Sequence, residues 1–123
     1  SSHDNPARER GGIRAARLRA IKTDIALHLC DPGLSIDRIA AGHGISPRYI
    51  RKLFQEKETT FSDFVLHLRL ERSRKLLRNP EHAASTIASI AHVCGFGDQS
   101  YFNRTFRRQY GITPSDFRYQ SSE

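Results

Sequence analysis

Apolar residues recur at helical spacing along the chain. A first amphipathic helix is predicted by residues that repeat every three or four positions, namely Leu18, Ile21, Ile25 and Leu29. The segment Asp31-Pro32-Gly33 ends that helix, because proline lacks an amide hydrogen and glycine frees the backbone. No stretch alternates apolar and polar residues as a half-buried strand does. The pattern therefore predicts an all-α fold.

Capping residues and helix breakers predict six further helices. A Ser, Thr or Asp side chain caps the first free amides of a helix, and proline favours its first position. Such starts lie at Ser35, Ser46-Pro47, Asp98 and Thr113-Pro114. The glycines of Gly42-His43-Gly44 break the second helix. The expected helices cover residues 36–41, 47–57, 61–78, 86–93, 99–110 and 114–119.

The long helix at residues 61–78 carries two apolar stripes. One stripe consists of Leu66, Leu70, Ser73 and Leu77, and the other of Phe61, Val65 and Leu68. Two stripes widen the apolar face of a helix, so we expect this one to pack against neighbours on two sides. Asn79-Pro80 ends it, and residues 79–84 are expected to be a connector.

The chain resembles itself at an offset of 51 to 53 residues. The matched pairs are Ile39-Ala40 with Ile90-Ala91, Gly44 with Gly95, Ile45 with Phe96, Tyr49 with Tyr101, Phe54 with Phe106, and Ser62-Asp63-Phe64 with Ser115-Asp116-Phe117. In each copy a small alanine lets two helices approach, and a glycine permits a positive φ in the turn between them. This order of helix, glycine turn and capped basic helix is typical of a helix-turn-helix unit. The sequence therefore predicts two such units.

These elements divide the chain into a tail and one domain with two subdomains. Residues 1–12 are expected to be a disordered tail or linker, and residues 13–120 the folded domain. Within the domain we expect a first subdomain at about 13–60, a linker helix at about 61–78 and a second subdomain at about 84–120. About seven helices in two helix-turn-helix subdomains make the expected fold homeodomain-like.

Charge narrows the range of partners. Twenty Lys and Arg against thirteen Asp and Glu give a formal net charge of +7. A small basic domain attracts polyanions such as nucleic acid, although a charge that only keeps the protein soluble would give the same number. We expect no membrane association, because no apolar run is long enough to span a bilayer and no segment combines a broad apolar face with a rim of Lys and Arg.

The sequence contains no recognisable pattern of catalytic or metal-binding residues. The carboxylates are dispersed, no glycine-rich phosphate loop follows a strand, and the histidines lack a nucleophile at a recognisable spacing, so we expect no enzyme. Cys30 and Cys94 are far apart, and no His lies at zinc-ligand spacing from either thiol. We therefore expect two buried free thiols in a reducing compartment, no metal and no cofactor.

One run of sequence is specific enough to indicate a family. Residues 87–91 read Ile-Ala-Ser-Ile-Ala, and residues 95–114 read GFGDQSYFNRTFRRQYGITP. The Gly, aromatic and Thr-Pro positions of this run resemble the AraC/XylS family of bacterial transcription regulators. The long helix also resembles that family's linker helix in Arg69-Leu70, Ser73 and Leu76-Leu77, with serine where alanine is usual. The resemblance covers about residues 14–119. It implies seven helices and two recognition helices that enter adjacent major grooves, roughly 34 Å apart.

We expect DNA bases to be read by outward-facing residues of the two recognition helices. In the first helix these are Arg48, Arg51 and Lys52, and in the second they are Gln99, Ser100, Asn103 and Arg104. Arg can bridge O6 and N7 of guanine in the major groove, and Gln or Asn can pair with adenine. By family resemblance, Gln99 and Arg104 occupy base-reading positions. For the first helix, contact with phosphates alone is the alternative.

Further contacts are expected to go to the DNA backbone. Candidates are Arg107 and Arg108, together with Ser62 and Thr113, which lie at helix starts where free amides favour anions. For Ser62 and Thr113, simple helix capping is the alternative.

The sequence thus predicts a transcription regulator that binds double-stranded DNA sequence-specifically. The resemblance implies activation as the commoner role and RNA polymerase as a second partner. The alternative function is a helical module that docks on RNA polymerase or another protein without reading bases. We expect this chain to be a monomer, a longer parent protein to dimerise through another domain, and the location to be the bacterial cytoplasm, at the nucleoid.

Overall fold

Every regular element in the described part of the chain is helical. A computed structural model describes residues 6–120, with side chains from residue 10 onward. The helices are α1 (Pro6–Leu27), α2 (Ile36–His43), α3 (Pro47–Gln55), α4 (Phe61–Leu77), α5 (Ile87–Val93), α6 (Gln99–Tyr110) and α7 (Pro114–Tyr119). A short 3₁₀ helix, Pro80–His82, lies in the expected connector. The predicted all-α fold with seven α-helices is confirmed for these residues.

The first helix begins earlier than the apolar pattern predicts. Residues 6–12, which we expected to be a disordered tail or linker, belong to α1, so that expectation is corrected. Proline suits the first helical position, and the Ala and Arg residues after Pro6 are good helix formers. The apolar periodicity marks only the stretch of the helix that is buried, which starts at Leu18. Residues 1–5, also expected to be tail, lie outside the described residues.

Several other boundaries differ by one turn or less from the expected ones: α1 ends at Leu27, α4 ends at Leu77 and α5 begins at Ile87. The second helix continues through Gly42 and ends at His43, because Gly44 and not Gly42 takes the left-handed conformation, with φ of 65°. The third helix ends at Gln55, and the chain then turns so that Glu58 adopts a φ of 59°.

Two compact units, each with its own core, make up the described chain. The first contains residues 6–28 and 34–64, and the second contains residues 29–33 and 65–120. The boundary therefore falls inside α4. Residues 29–33 group with the second unit, although the sequence places them in the first subdomain.

The first unit packs α1, α2 and α3 around an aliphatic and aromatic core. Its most buried side chains are Ile21, Ile25, Ile39, Ile50, Leu53 and Phe54. The Phe54 ring contacts Phe61 edge-on, with ring centroids 6.1 Å apart. Asp24 Oδ1 on α1 lies 2.9 Å from His28 Nδ1, and Asp24 Oδ2 forms a hydrogen bond with His43 Nε2, also at 2.9 Å. This hydrogen bond ties α1 to the last residue of α2.

The second unit packs α5, α6 and α7 against the later part of α4. Its core consists of Leu70, Leu77, Ile90, Ala91, Cys94, Phe96, Phe102, Phe106 and Phe117. At the edge of this core the Tyr110 hydroxyl donates a hydrogen bond to Glu71 of α4 at 2.6 Å. Burial and this bond raise the pKa of Tyr110 to about 12, and the same bond lowers the pKa of Glu71.

Arg69 of α4 holds residues 29–33 in the second unit. Its Nε donates to the Leu29 carbonyl at 2.9 Å and its Nη2 to the Asp31 carbonyl at 3.0 Å. Burial lowers the pKa of Arg69, and the neighbouring thiols and Asp31 oppose that effect. Gly95 lies directly against this bonded group. A Cβ at residue 95 would be 2.8 Å from Arg69 Nε and 3.0 Å from the Leu29 carbonyl oxygen.

The two thiols differ in exposure. Cys94 is fully buried, and burial raises its pKa to about 11. Cys30 is only half-buried, so the expectation of two buried thiols is wrong for Cys30, which follows the end of the apolar stripe of α1. Both are free cysteines.

Replacing Gly95 with alanine is expected to destabilise the second unit. The residue has a φ of 96°, and its Cβ would meet a bonded guanidinium and a backbone carbonyl that cannot both move. We expect Gly95→Ala to lower the free energy of unfolding by about 2 kcal/mol or more in urea titrations. Gly97→Ala is the matched control, because nothing lies within 4 Å of its added Cβ. Equal losses in the two variants would contradict this account.

Replacing Tyr110 with phenylalanine is expected to cost stability in a pH-dependent way. Loss of the bond to Glu71 should lower the free energy of unfolding by about 1 kcal/mol near neutral pH. Because folding raises the pKa of Tyr110 from 10.0 to about 12, this contribution is complete below pH 10 and disappears as the pH rises towards 12. Urea titrations of the wild type and of Tyr110→Phe, from neutral pH to pH 12, measure this difference in the free energy of unfolding. The control is Tyr119→Phe, at a side chain 80% exposed; a Tyr110 effect that persists unchanged at pH 12 argues against the bond.

Candidate nucleic-acid interface

The turns of the two helix-turn-helix units are built by the same backbone hydrogen bonds. In the first, Gly44 N donates to Ala41 O at 3.3 Å and Ile45 N donates to Ala40 O at 3.1 Å. In the second, Gly95 N donates to His92 O and Phe96 N donates to Ala91 O, both at 3.0 Å. Both glycines have positive φ, at 65° and 96°. The repeat in the sequence is therefore also a repeat of backbone geometry.

Each turn is followed by a helix whose start is capped by a side chain. Ser46 accepts a hydrogen bond from Tyr49 N at 3.1 Å, and Asp98 accepts one from Ser100 N at 2.9 Å. These caps satisfy one amide each and leave other amides of the first turn facing outward. The positive end of the helix dipole lies there, so the start of each helix favours an anion.

In α3 the structure brings the three predicted base-reading residues to one exposed face. Ile50, Leu53 and Phe54 are buried in the first unit. Arg48, Arg51 and Lys52 are exposed and three to four residues apart, so they share the opposite face of the helix. The helix contains no Asp or Glu, which leaves this face positive.

In α6 the predicted residues are also exposed, but they do not all share one face. Phe102, Thr105 and Phe106 are buried. The spacing places Ser100, Asn103, Arg104 and Arg107 on one exposed face. Gln99 at the first helical position and Arg108 are exposed at its margins. Like α3, the helix contains no Asp or Glu.

Arg104 lies beside an aromatic ring rather than a carboxylate. Its Cζ is 6.0 Å from the centroid of the Tyr101 ring. That ring is 43% exposed and contacts the buried Phe96 ring, with centroids 6.4 Å apart. The aromatic contact restricts the guanidinium without neutralising it, which leaves its donors available to a base.

The two helix starts predicted to contact phosphate differ in structure. Thr113 caps α7 by accepting a hydrogen bond from Asp116 N at 3.1 Å. Ser62 does not cap α4, because Thr60 accepts the bond from Asp63 N at 3.0 Å. The pattern of Thr60 with an acidic residue three positions later is a capping-box signal that sequence reasoning missed. Ser62 instead lies exposed in the first turn of α4, in a cleft that Arg51 also lines.

Two arginines of α1 also contact α3, and the sequence analysis did not single them out. Arg17 Cζ is 6.0 Å from the centroid of the Tyr49 ring, and Arg14 Nη1 is 3.6 Å from Glu56 Oε1. Helix periodicity shows which residues of α1 are buried, but it does not show which neighbour its polar residues meet.

Two negative findings concern the described residues alone. Between residues 6 and 120, no group of three His, Cys, Asp or Glu side chains has a geometry that would hold a metal ion. Within the same range, none of the helices has the length and apolar content that crossing a membrane requires.

Comparisons with known proteins agree with this geometry. A protein-family profile described as "Helix-turn-helix domain" matches residues 39–120. The transcriptional activator RhrA of Rhizobium meliloti is 43% identical over 102 residues, which cover 83% of this chain and 32% of that protein. The chain thus spans about a third of the length of that relative.

Solved structures with the same fold also match most of the chain. A DNA-binding transcriptional dual regulator from Escherichia coli K-12 superposes with a TM-score of 0.74 at 28% identity, over 85% of this chain and 96% of that one. A probable AraC family transcriptional regulator from Rhodopseudomonas palustris superposes with a TM-score of 0.71 at 28% identity, over 81% of this chain and 92% of that one.

Proposed function

Because the chain belongs to the AraC/XylS family of helix-turn-helix transcription regulators, we propose that it binds double-stranded DNA sequence-specifically and regulates transcription. The observation that carries this proposal is the exposed, carboxylate-free face that each glycine turn directs outward on α3 and α6. An α-helix with such a face fits the major groove, where base edges present hydrogen-bond donors and acceptors.

The helix α6 carries the chemistry for telling bases apart. Asn103 offers both a donor and an acceptor, which suit adenine, and Arg104 offers a donor fork for guanine. Ser100 lies on the same face, and Gln99 reaches from its margin at the start of the helix. A surface of mixed polar types discriminates between base pairs better than a purely cationic one, because each type fits a different pattern of donors and acceptors.

The helix α3 carries a more uniform surface. Arg48, Arg51 and Lys52 all donate and none accepts, so they fit guanine O6 and N7 or phosphate oxygens. We propose that this helix reads guanines and also binds the backbone, with Arg51 and Ser62 facing one phosphate from the cleft that they share. Arg107, Arg108 and the amide end of α7 at Thr113 supply backbone contacts for the second unit.

Two recognition helices on one chain imply a bipartite target. We propose that each unit occupies one major groove and that the half-sites lie about one helical turn apart, roughly 34 Å along the DNA. A single chain would then recognise both half-sites without dimerising.

Activation is the role that the relatives favour. RhrA is named as a transcriptional activator, and the proposal for this chain is that DNA binding positions RNA polymerase at a promoter.

We propose that the chain acts as a monomer in the bacterial cytoplasm, at the nucleoid, and that it carries no catalytic activity. The rival function is docking on a protein without reading bases. If the chain had that function, its binding to DNA would not depend on base sequence.

Replacing Arg104 tests base reading directly. We expect Arg104→Ala to weaken binding to the preferred duplex by about 1–3 kcal/mol and to relax preference at one base pair. Fluorescence anisotropy on duplexes with each base pair changed in turn measures both effects. Arg107→Ala is the matched control: it should weaken binding equally on all sequences and reduce the slope of log K against log salt by about 1. A uniform loss for Arg104→Ala as well would refute base reading by this residue.

A further inference from the structure

The middle of α1 is rich in positive charge. Residues 10–22 contain no Asp or Glu, while their Lys and Arg residues are Arg10, Arg14, Arg17, Arg19 and Lys22. The formal net charge of the entire chain is +7. Leu18, Ile21 and Ile25 of this helix are buried in the first unit, whereas its cations share the exposed surface with Ile13.

Three of these arginines form a stripe along one flank of α1. Arg10, Arg14 and Arg17 are four and then three residues apart, a spacing that stacks side chains along one side of a helix. We call these three residues the arginine stripe. Arg19 and Lys22 lie on the other flank, because each residue turns the helix by roughly 100°.

The arginine stripe lies beside α3. Arg17 lies over the ring of Tyr49 at 6.0 Å, and Arg14 lies 3.6 Å from the Glu56 carboxylate. Tyr49 is in the first turn of α3 and Glu56 directly follows its last residue. Arg17 therefore lies near the start of the first recognition helix and Arg14 near its end, and Arg10 continues the same flank of α1 beyond Arg14.

Among the described contacts of the stripe, the one with a carboxylate is that of Arg14 with Glu56, which compensates one of its three charges. The side chains of Arg14 and Glu56 are 41% and 40% exposed, and ion pairs so exposed contribute little to stability. The ring of Tyr49 attracts the Arg17 guanidinium but leaves its positive charge in place. Like charges on neighbouring turns repel each other, and a polyanion beside α3 would remove that repulsion.

We propose that Arg10, Arg14 and Arg17 bind the DNA phosphates that flank the first half-site. The inference rests on the proposed function, because it requires α3 in a major groove. Phosphates line both edges of that groove, and the forked donors of a guanidinium match phosphate oxygens. The stripe adds affinity and salt dependence to the first unit and reads no bases.

A pair of double variants tests the proposal. Arg10→Gln/Arg17→Gln removes two charges from the stripe, and Arg19→Gln/Lys22→Gln removes two charges from the other flank of the same helix. The probe is the duplex that the wild-type protein selects from a random pool, used at full length and trimmed from either end to the edge of the selected motif. Circular dichroism shows whether each variant keeps its helical content.

The stripe variant should reduce the slope of log K against log salt by about 2, since each phosphate contact contributes about 0.9. The control variant should keep the wild-type slope, and both should keep the wild-type base preference. Trimming one end of the duplex should reduce the slope for the wild type but not for the stripe variant. Equal slopes for the two variants would overturn the inference and leave sequence-specific binding standing, whereas a wild type that selects no sequence would overturn both.

Discussion

The tight glycine turn is the constraint on which both helix-turn-helix units depend. At Gly44 and Gly95 the backbone takes a positive φ, and the next residue donates its amide back to an alanine in the preceding helix. That pair of features fixes the direction in which the following helix leaves the turn. The apolar side of that helix packs against the core. Its polar side lies opposite and is therefore exposed to solvent. The DNA-reading surface is thus a consequence of turn geometry and core packing together.

The two units share this turn geometry but expose different side chains on their recognition helices. Where α3 presents Arg48, Arg51 and Lys52, the corresponding positions of α6 present Ser100, Asn103 and Arg104. In the proposed function the first surface discriminates through guanine and binds the DNA backbone, and the second distinguishes several base pairs. The recognition helices α3 and α6 carry three cationic side chains each, and the arginine stripe of α1 adds further charge beside α3. The proposal therefore divides affinity and specificity unevenly between the two repeats.

The sequence predicted the elements better than the contacts between them. Apolar periodicity, capping residues and the internal repeat located all seven helices, because these signals depend on neighbours a few residues away. The contacts of Arg69 with Leu29 and of Tyr110 with Glu71 join residues some forty positions apart, and no local pattern encodes them. The early start of α1 was missed because the apolar repeat in the sequence begins only at Leu18. The outward-facing residues of α3 and α6 were identified because burial on one face of a helix defines the other.

The proposed function requires both recognition helices to read bases from one chain. Selection of bound duplexes from a random DNA pool, followed by sequencing, measures this directly. We expect two recurring motifs with centres about 10 base pairs apart, with guanines prominent in one and a mixed sequence in the other. A single short motif would contradict the proposed function, because one recognition helix would then be reading alone.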